Sequence, residues 1–315
     1  MIDVAVIGSG IMGAAVAREL SRYNLNIVII EKTNDVSCGT TKANSAIVHA
    51  GYDAKEGTLM AKYNARGNAM YEELCEEVDA PYRKTGSYVL AFSPKEKEHL
   101  ELLYKRGINN GIPEMEIIGK EELEKREPNV SKKAIAALYA GTAGITGPWE
   151  LAIKLIENAM ENGAELKLNA EVVNIEKIEE HFLITFKNGE KLETRTVINA
   201  AGIYADNLNN MVSEKKFKIT PRIGEYFLLD KVQGYLTDSI IFQCPTEMGK
   251  GVLVAKTAHG NIIIGPTSSD VDDRDDVGNT QMGLETIKES ALKSIENINF
   301  RDNIKNFAGL RAEAD

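Results

Sequence analysis

Short apolar runs at the start of the chain alternate with a helix-like stretch. Val4, Val6 and Ile7 predict a strand, and residues 27–30 predict a second apolar strand. Between them, residues 14–20 have the composition and length of a helix. This order of strand, helix and strand is typical of a parallel, doubly wound α/β unit.

Helical periodicity recurs further along the chain. In residues 57–78, six residues recur at spacings of three and four positions, which predicts a helix with one apolar face. They are Leu59, Tyr63, Gly67, Met70, Leu74 and Val78. Other helices are predicted, most of them bounded by proline or glycine, at residues 94–109, 120–128, 148–163 and 281–295.

Strand patterns dominate the second half. Three strands in quick succession, with a hairpin turn at Asn188-Gly189, are predicted at residues 170–178, 181–189 and 190–202. Further strands are predicted at residues 222–230, 250–257 and 261–267. The three-strand insert interrupts the doubly wound pattern, which returns at residues 198–202, and the later strands predict a second, antiparallel domain.

Composition and charge narrow the class of protein. The chain has 315 residues, 43% of them apolar and 27% charged, with a net charge of −10. Such an acidic chain argues against a nucleic-acid partner, and no apolar run is long enough to span a bilayer. The first strand begins at Ile2, so we expect no signal peptide. The three widely spaced cysteines give no metal signature and suit the reducing cytosol, so we expect a cytoplasmic protein.

A glycine motif follows the first strand. Gly8, Gly10 and Gly13 form GxGxxG, and Glu31 closes the second strand eighteen positions after Gly13. The glycines allow a tight turn, close approach of a pyrophosphate and close packing of helix on strand, while the helix N-terminus attracts phosphate. Glu31 is placed to accept hydrogen bonds from an adenosine ribose, and its charge disfavours a 2′-phosphate. The unit therefore predicts binding of NAD or FAD, and by itself does not separate them.

The fold class follows from these patterns. We predict an α/β fold in which a discontinuous, Rossmann-like nucleotide-binding domain with a β-meander is interleaved with an antiparallel-sheet (α+β) substrate domain. The nucleotide-binding domain is predicted at residues 1–79, 143–213 and 298–315, and the substrate domain at residues 80–142 and 214–297.

One histidine lies in an unusual setting. His49 follows the apolar residues Ile47 and Val48 inside the polar, glycine-containing stretch 40–53. It could be a buried histidine that is hydrogen-bonded to backbone. It could also face chemistry, because an imidazole titrates near neutral pH. The residues alone favour a buried histidine that is hydrogen-bonded to backbone.

Four segments together resemble the FAD-dependent D-amino-acid oxidase-like superfamily. They are the glycine motif with Glu31-Lys32, the block GTTKANSAIVHAG, the strand end VINAAGIYAD, and the pair PRIGEYFLL and FAGLR. The sequence of the stretch NSAIVHAGYDAKEGTLMAKYNARGN is similar to those of two branches of this superfamily. They are the short bacterial anaerobic-type glycerol-3-phosphate dehydrogenases and the L-2-hydroxyglutarate oxidases. The resemblance implies FAD as the cofactor.

The resemblance also implies which residues meet the cofactor. Threonines after the second strand would contact phosphate, Asn44 and Ser45 would lie near the flavin, and Val172 would meet adenine through its backbone. The full implied set is Gly8, Gly10, Ile11, Met12, Gly13, Glu31, Lys32, Thr40, Thr41, Asn44, Ser45, Val172, Ala200, Ala201 and Gly202.

The implied reaction is hydride transfer from a carbon bearing a hydroxyl or amine to the flavin N5. Arg311 matches the substrate arginine of the family, and an arginine fork suits a small anionic substrate. His49 becomes the favoured candidate for a base or orienting donor, and Tyr226 resembles a strand position facing the flavin. The resemblance favours oxidation of glycerol-3-phosphate to dihydroxyacetone phosphate. L-2-hydroxyglutarate oxidation and nucleotide binding without catalysis stay open as alternatives.

Partners and completeness are further expectations from the resemblance. Electrons would pass to an acceptor protein or a quinone-linked subunit, and no integral membrane segment is expected. Family members continue past the arginine strand with another strand, a glycine-rich turn and a helix, whereas this sequence stops at Asp315. We therefore expect a truncated chain that retains flavin more weakly than a full-length enzyme.

Overall fold

A computed structural model describes residues 1–245 and 251–315. In chain order its strands β1 to β18 are Ile2–Ile7, Ile27–Ile30, Ile47–Val48, Tyr82–Lys84, Ser87–Ala91, Met115–Gly119, Ala136–Ala140, Gly144–Thr146, Glu165–Lys167, Val172–Ile178, His181–Phe186, Lys191–Asn199, Ile219–Leu229, Ile240–Gln243, Leu253–Lys256, Ile262–Gly265, Ser269–Asp270 and Asn303–Ala314. Its helices α1 to α7 are Ile11–Leu20, Leu59–Glu77, Pro94–Asn109, Lys120–Arg126, Pro148–Glu161, Ala205–Val212 and Gln281–Ser294. Lys250, the first residue of the strand predicted at 250–257, lies outside the described residues.

The nucleotide end forms one sheet with the order β10-β11-β12-β1-β2-β9. Strand β1 runs parallel to β12 and β2, β2 runs parallel to β9, and β10, β11 and β12 form an antiparallel meander. Helices α1 and α5 cover one face, where Val6, Ala14 and Leu155 share a buried core. On the other face Ala5 and Ile184 pack in a second core. The predicted doubly wound unit with a meander is therefore present.

A larger sheet has the order β17-β13-β16-β15-β14-β5-β7-β6, with β18 paired along β13. One of its faces packs against α3 and contains Tyr226 and Phe242. The opposite face packs against α4 and α7. The predicted antiparallel sheet needs one correction, because β14 runs parallel to β5. A third, small sheet joins β3, β8 and β4. The whole is a mixed α/β fold with several sheets, as predicted.

Strand pairing bears on the domain boundaries. Residues 303–314 were predicted to belong to the nucleotide-binding domain, yet β18 pairs with β13 over almost its whole length. Strand pairing alone would group β18 with the larger sheet. The division into domains stays a prediction.

The apolar face predicted for helix α2 is only partly correct: Leu74 and Val78, near its C-terminal end, pack on the core shared with α1 and α5, but three of the other positions are exposed. Leu59, Tyr63 and Met70 are 69%, 56% and 50% exposed. The covered side of the helix instead carries Ala61 and Cys75. Periodicity identifies the helix, but in its first turns small and polar side chains lie on the covered side, and only the neighbouring elements decide which side is covered.

Among the described residues, no helix is both long and apolar enough to cross a membrane.

A buried ion pair ties α6 to the start of β13. The Arg274 guanidinium donates to both carboxylate oxygens of Asp206, at 2.6 and 2.7 Å, and also to the carbonyls of Ile203 and Ile219. These hydrogen bonds from Arg274 outweigh the effect of burial and lower the pKa of Asp206 from 3.8 to about 2. The carboxylate therefore favours the folded state only while it is ionised.

We expect Arg274→Met to destabilise the protein strongly, by about 3–5 kcal/mol at neutral pH, because it leaves Asp206 buried without its partner. In the wild type the contribution of Asp206 is present in full above its ordinary pKa of 3.8 and is lost as the pH falls towards about 2. Urea unfolding from pH 7 to pH 2 measures both effects.

Arg195→Met is the matched control. Arg195 also pairs with an aspartate, Asp3, at 3.2 Å, but its side chain is 65% exposed. Exposed pairs contribute at most about 1 kcal/mol. Equal losses of stability in the two variants would contradict a special role for the buried pair.

Candidate active site

The turn between β1 and α1 is built around two glycines that leave no room for a side chain. Gly8 has φ +105°, and a Cβ there would lie 2.3 Å from the Ala200 carbonyl oxygen. A Cβ at Gly13 would lie 1.8 Å from the carbonyl oxygen of Gly8. The close contacts of strand, helix and the 200–202 turn therefore depend on glycine. Gly10 precedes the helix with an ordinary φ of −71°, and Met12, in its first turn, is 67% exposed.

Thr41 contacts the start of helix α1. The amide of Ile11 donates to the Thr41 hydroxyl oxygen at 3.0 Å. Because that oxygen acts as an acceptor here, the hydroxyl proton of Thr41 is available for a phosphate oxygen. Thr41 thus satisfies one amide of the helix N-terminus and offers a donor beside it.

Glu31 ends β2 next to the same turn. Its carboxylate accepts four hydrogen bonds, from the amide and hydroxyl of Ser9 at 3.0 and 2.7 Å and from those of Thr33 at 3.0 and 2.9 Å. Burial by itself would raise the pKa of Glu31, but these bonds outweigh it and lower the pKa below its ordinary value. An ionised acceptor therefore stands where a ribose diol is predicted. A bound ribose would take the place of one or more of these donors.

Lys32 and the 200–202 turn lie together. The Lys32 ammonium is 3.7 Å from the centre of the Tyr204 ring, which fits a cation–π contact. Gly202 has φ +56° and begins the short 3₁₀ turn that carries Tyr204. The Tyr204 hydroxyl donates to Asp275 at 2.6 Å. Lys32 is thus near the predicted cofactor turn, but it is engaged with protein.

Val172 begins β10, two strands from β12. It pairs with Phe186 and packs against the core that contains Ile7 and Val28. Its position in the sheet agrees with the predicted element, whereas its contact with adenine stays a prediction.

The loop that carries Thr40 lies against β18. The Thr40 hydroxyl donates to the Leu310 carbonyl at 2.6 Å, and a Cβ added to Gly309 would lie 1.9 Å from the carbonyl oxygen of Ala43. Since a hydroxyl has one proton, Thr40 could donate to a phosphate only by releasing Leu310. Asn44 holds the same loop, because its amide donates to the carbonyls of Thr40 and Thr41 and accepts from Ala46.

Tyr226 lies beneath this loop on β13. It is 5% exposed, its ring stacks on Phe307 with centres 4.8 Å apart, and its hydroxyl is hydrogen-bonded to Ser45. Burial raises the pKa of Tyr226, while the Ser45 hydrogen bond and the charge of Arg311 oppose that rise. At neutral pH the side chain is therefore a neutral phenol.

Arg311 lies four residues beyond Phe307 on the same side of β18 and is exposed. The residue opposite it, Arg222, is held by Asp270 at 2.7 Å and Glu313 at 3.7 Å. Among the described residues, no carboxylate forms an ion pair with Arg311 itself. The charge of Arg311 is therefore available to an anion.

His49 follows β3 and is half-buried. Its ring is stacked on Phe242, with centres 5.9 Å apart and planes 23° apart. With Met60, Asn64 and Phe242, it lines a cavity of about 70 Å³, which is enough for several waters or a small ligand. Among the described residues, neither Tyr226 nor Arg311 lines this cavity. Ala50, the residue after His49, and Tyr226 nevertheless belong to the same hydrophobic core, which links the cavity beside His49 to the strand that carries Tyr226.

Phe242 and Asn64 were not identified from the sequence. Phe242 lies in β14, for which no strand was predicted, although the run Ile240, Ile241 and Phe242 carries a strand signal. Asn64 has no comparable signal, because polar residues on a helix are usually exposed.

Comparison with known proteins adds an independent line of evidence. Residues 3–315 match the family described as DAO: FAD dependent oxidoreductase. A glycerol 3-phosphate dehydrogenase of Caloramator mitchellensis is 51% identical over 315 residues, which are all of this chain and 65% of that protein. The mitochondrial L-2-hydroxyglutarate dehydrogenase of Homo sapiens is 29% identical over 282 residues, 84% of this chain and 60% of that protein. This chain therefore spans less than two thirds of the length of either relative.

A solved structure shows the same architecture. The L-alpha-glycerophosphate oxidase of Mycoplasma pneumoniae with FAD bound superposes with a TM-score of 0.93 at 31% identity, covering all of this chain and 84% of that chain. Membership of the matched family resolves the choice between NAD and FAD in favour of FAD. On its family match, its relatives and its fold, the chain belongs to the DAO family of FAD-dependent oxidoreductases.

Proposed function

We propose that this protein acts in the FAD-dependent oxidation of a small anionic 2-hydroxy compound, and that its substrate is glycerol-3-phosphate, which becomes dihydroxyacetone phosphate. The observation that carries the proposal is the joining of the 40–45 loop to β18 through Thr40 and Leu310. It brings Ser45 and Tyr226 close to Arg311, which forms no ion pair with any carboxylate in the described part of the chain. The names of the 51% identical relative and of the superposed oxidase support the substrate.

The nucleotide end fits FAD. Gly8 and Gly13 close the β1–α1 turn, and Gly10 would leave the backbone open to a pyrophosphate. Thr41 offers a hydroxyl donor, and Glu31 offers an ionised acceptor for a ribose. Ile11, Met12 and Gly13 would contribute the helix N-terminus, and Ala200, Ala201 and Gly202 would lie alongside. When bound, FAD supplies the acceptor for the hydride that leaves the hydroxyl-bearing carbon.

Side chains of this protein would bind the substrate, accept its proton and exclude water. Arg311 would bind the anionic end of the substrate through a fixed pair of N–H donors. His49 would take the proton of the substrate hydroxyl as the C–H bond breaks. Tyr226, neutral and buried, would donate a hydrogen bond and help to exclude water.

L-2-hydroxyglutarate is the second candidate substrate, favoured by the human relative at 29% identity. Its carboxylates would bind Arg311 as a phosphate does. Steady-state assays with both compounds and an artificial electron acceptor distinguish the two, and we expect faster turnover of glycerol-3-phosphate. Faster turnover of L-2-hydroxyglutarate would reverse the assignment. FAD binding without turnover of either would leave the third alternative, a nucleotide-binding module without catalysis.

Arg311→Lys is expected to raise KM for glycerol-3-phosphate about 10- to 100-fold, because lysine cannot form the bidentate contact. The matched control is Arg222→Lys, the same change at the opposite position, where Asp270 and Glu313 already hold the charge. We expect little change in KM there. Equal effects of the two substitutions would remove Arg311 from the substrate site.

The wider context is also proposed. Electrons would leave through an acceptor protein or a quinone-linked subunit. The three cysteines are all free thiols, which supports a cytoplasmic location. Residues 1–79, 143–213 and 298–315 would form the FAD-binding domain, with the reservation that β18 also completes the larger sheet.

A further inference from the structure

Helix α2 contacts the backbone of His49 through one side chain. The amide nitrogen of Asn68 donates to the His49 carbonyl at 3.2 Å and to the Thr142 carbonyl at 2.8 Å. Both bonds join parts of the chain that are distant in sequence, and in both the side-chain nitrogen of Asn68 is the donor. Asn68 is thus the point at which α2 holds the segment that carries His49.

The two carbonyls lie where a β ladder stops. Strands β3 and β8 pair antiparallel, with Ile47 opposite Ile145 and Val48 opposite Gly144. His49 follows the last paired residue of β3, and Thr142 lies two residues before β8 begins. The Asn68 amide bridges the two strands just beyond their last backbone pair. It therefore sets the distance between the His49 backbone and β8.

Other side-chain hydrogen bonds hold the residues that follow His49, but they end on different backbone carbonyls. Asn110 of the α3 C-terminus donates to the carbonyls of Gly51 and Ala54, and Arg106 of α3 donates to the carbonyl of Asp53. Asn64, one turn before Asn68 on α2, lines the cavity beside His49. The Asn68 amide, by contrast, contacts the carbonyl of His49 itself.

We propose that Asn68 is a positioning residue for His49, holding the backbone from which the imidazole projects towards the substrate. The inference rests on the proposed function, in which His49 takes the substrate proton. A shift of the His49 backbone by a fraction of an ångström changes the direction of its ring. Proton transfer depends steeply on such geometry, whereas binding of FAD at the β1–α1 turn does not depend on Asn68.

Asn68→Asp tests the inference, because aspartate has the same shape but, when ionised, no proton to donate. In the folded FAD-bound protein we expect kcat to fall about 10- to 100-fold with KM nearly unchanged. The control is Asn129→Asp: Asn129 also donates to a carbonyl, that of Tyr235, on an exposed surface, and we expect no change there. Asn68→Gln keeps both donor protons and should retain more turnover than Asn68→Asp.

A double-mutant cycle with His49→Ala separates positioning from general support of the fold. If Asn68 acts through His49, Asn68→Asp adds no further loss of turnover once His49 is absent. An equal loss in both backgrounds would overturn the inference.

A readout without turnover keeps the inference independent of the substrate. The chain has four histidines, so the imidazole resonances of His49 can be assigned by their absence in His49→Ala. Asn68→Asp and Asn68→Gln should shift these resonances, and Asn129→Asp should not. Unchanged His49 resonances in a folded Asn68→Asp variant would overturn the inference. If the wild type oxidises neither substrate, the proposed function fails, and this comparison still decides whether Asn68 positions His49.

Discussion

His49→Ala is expected to lower turnover of glycerol-3-phosphate about 10²–10⁴-fold, the contribution typical of a general base. Flavin affinity should change little, because the predicted FAD contacts at the β1–α1 turn and Glu31 lie on other elements. The half-buried imidazole beside Phe242 lines a cavity large enough for a small ligand, which is the observation behind this expectation. Stopped-flow reduction of bound flavin by substrate measures the step directly.

His259→Ala serves as the control for His49→Ala. His259 pairs with Glu150 at 2.8 Å in the turn between β15 and β16 and is half exposed. Its loss should leave the rate of flavin reduction unchanged. Flavin reduction as fast in His49→Ala as in the wild type would mean that His49 is a structural residue, which is the reading that the sequence by itself favours.

Gly309→Ala is expected to displace the 40–45 loop from β18 and to weaken both FAD retention and substrate binding. The added methyl group would lie 1.9 Å from the Ala43 carbonyl oxygen and 2.9 Å from its carbon. Both are backbone atoms, so no side-chain rotation relieves the clash. Overpacking of this kind costs about 1–3 kcal/mol or more. Urea unfolding and titration with FAD, followed by flavin fluorescence, measure the two effects.

Gly67→Ala is the same chemical change at a position with nothing within 4 Å of the added methyl group. Gly67 lies inside helix α2, where alanine is favoured over glycine by about 1 kcal/mol. We therefore expect this variant to be slightly more stable and to bind FAD normally. A Gly309→Ala variant as stable and as competent as Gly67→Ala would contradict the close contact of loop and strand.

The dinucleotide unit was predictable because its requirements are local. A tight turn from strand to helix needs glycine at Gly8, whose φ is +105°, and at Gly13, where a Cβ would lie 1.8 Å from the Gly8 carbonyl oxygen. Six of the seven helices and the β-meander were predictable for the same reason, since residues a few positions apart set their periodicity, whereas the short α6 was not predicted. The resemblance of four segments added FAD and the family.

The parallel pair β5–β14 was not predictable, because its strands are about 150 residues apart in sequence and carry no signal of their partner. Strand β14, with Phe242, was overlooked altogether. The inward side of the first turns of α2 was also misassigned, since exposed Leu59 and Tyr63 look like a core face in sequence. Each of these depends on which distant elements come together.

The amino-acid sequence by itself determined the β1–α1–β2 unit, the acid at the end of β2, the acidic character of the chain and, through resemblance, its family. Only the tertiary structure decided that Thr40 bonds to the arginine strand, that Tyr226 is a buried neutral phenol, and that Asn68 holds the His49 backbone. The physical reason is the range of the interactions. Backbone conformation and helix periodicity are set by neighbours along the chain, whereas a hydrogen bond such as that from Thr40 to Leu310 joins residues 270 positions apart.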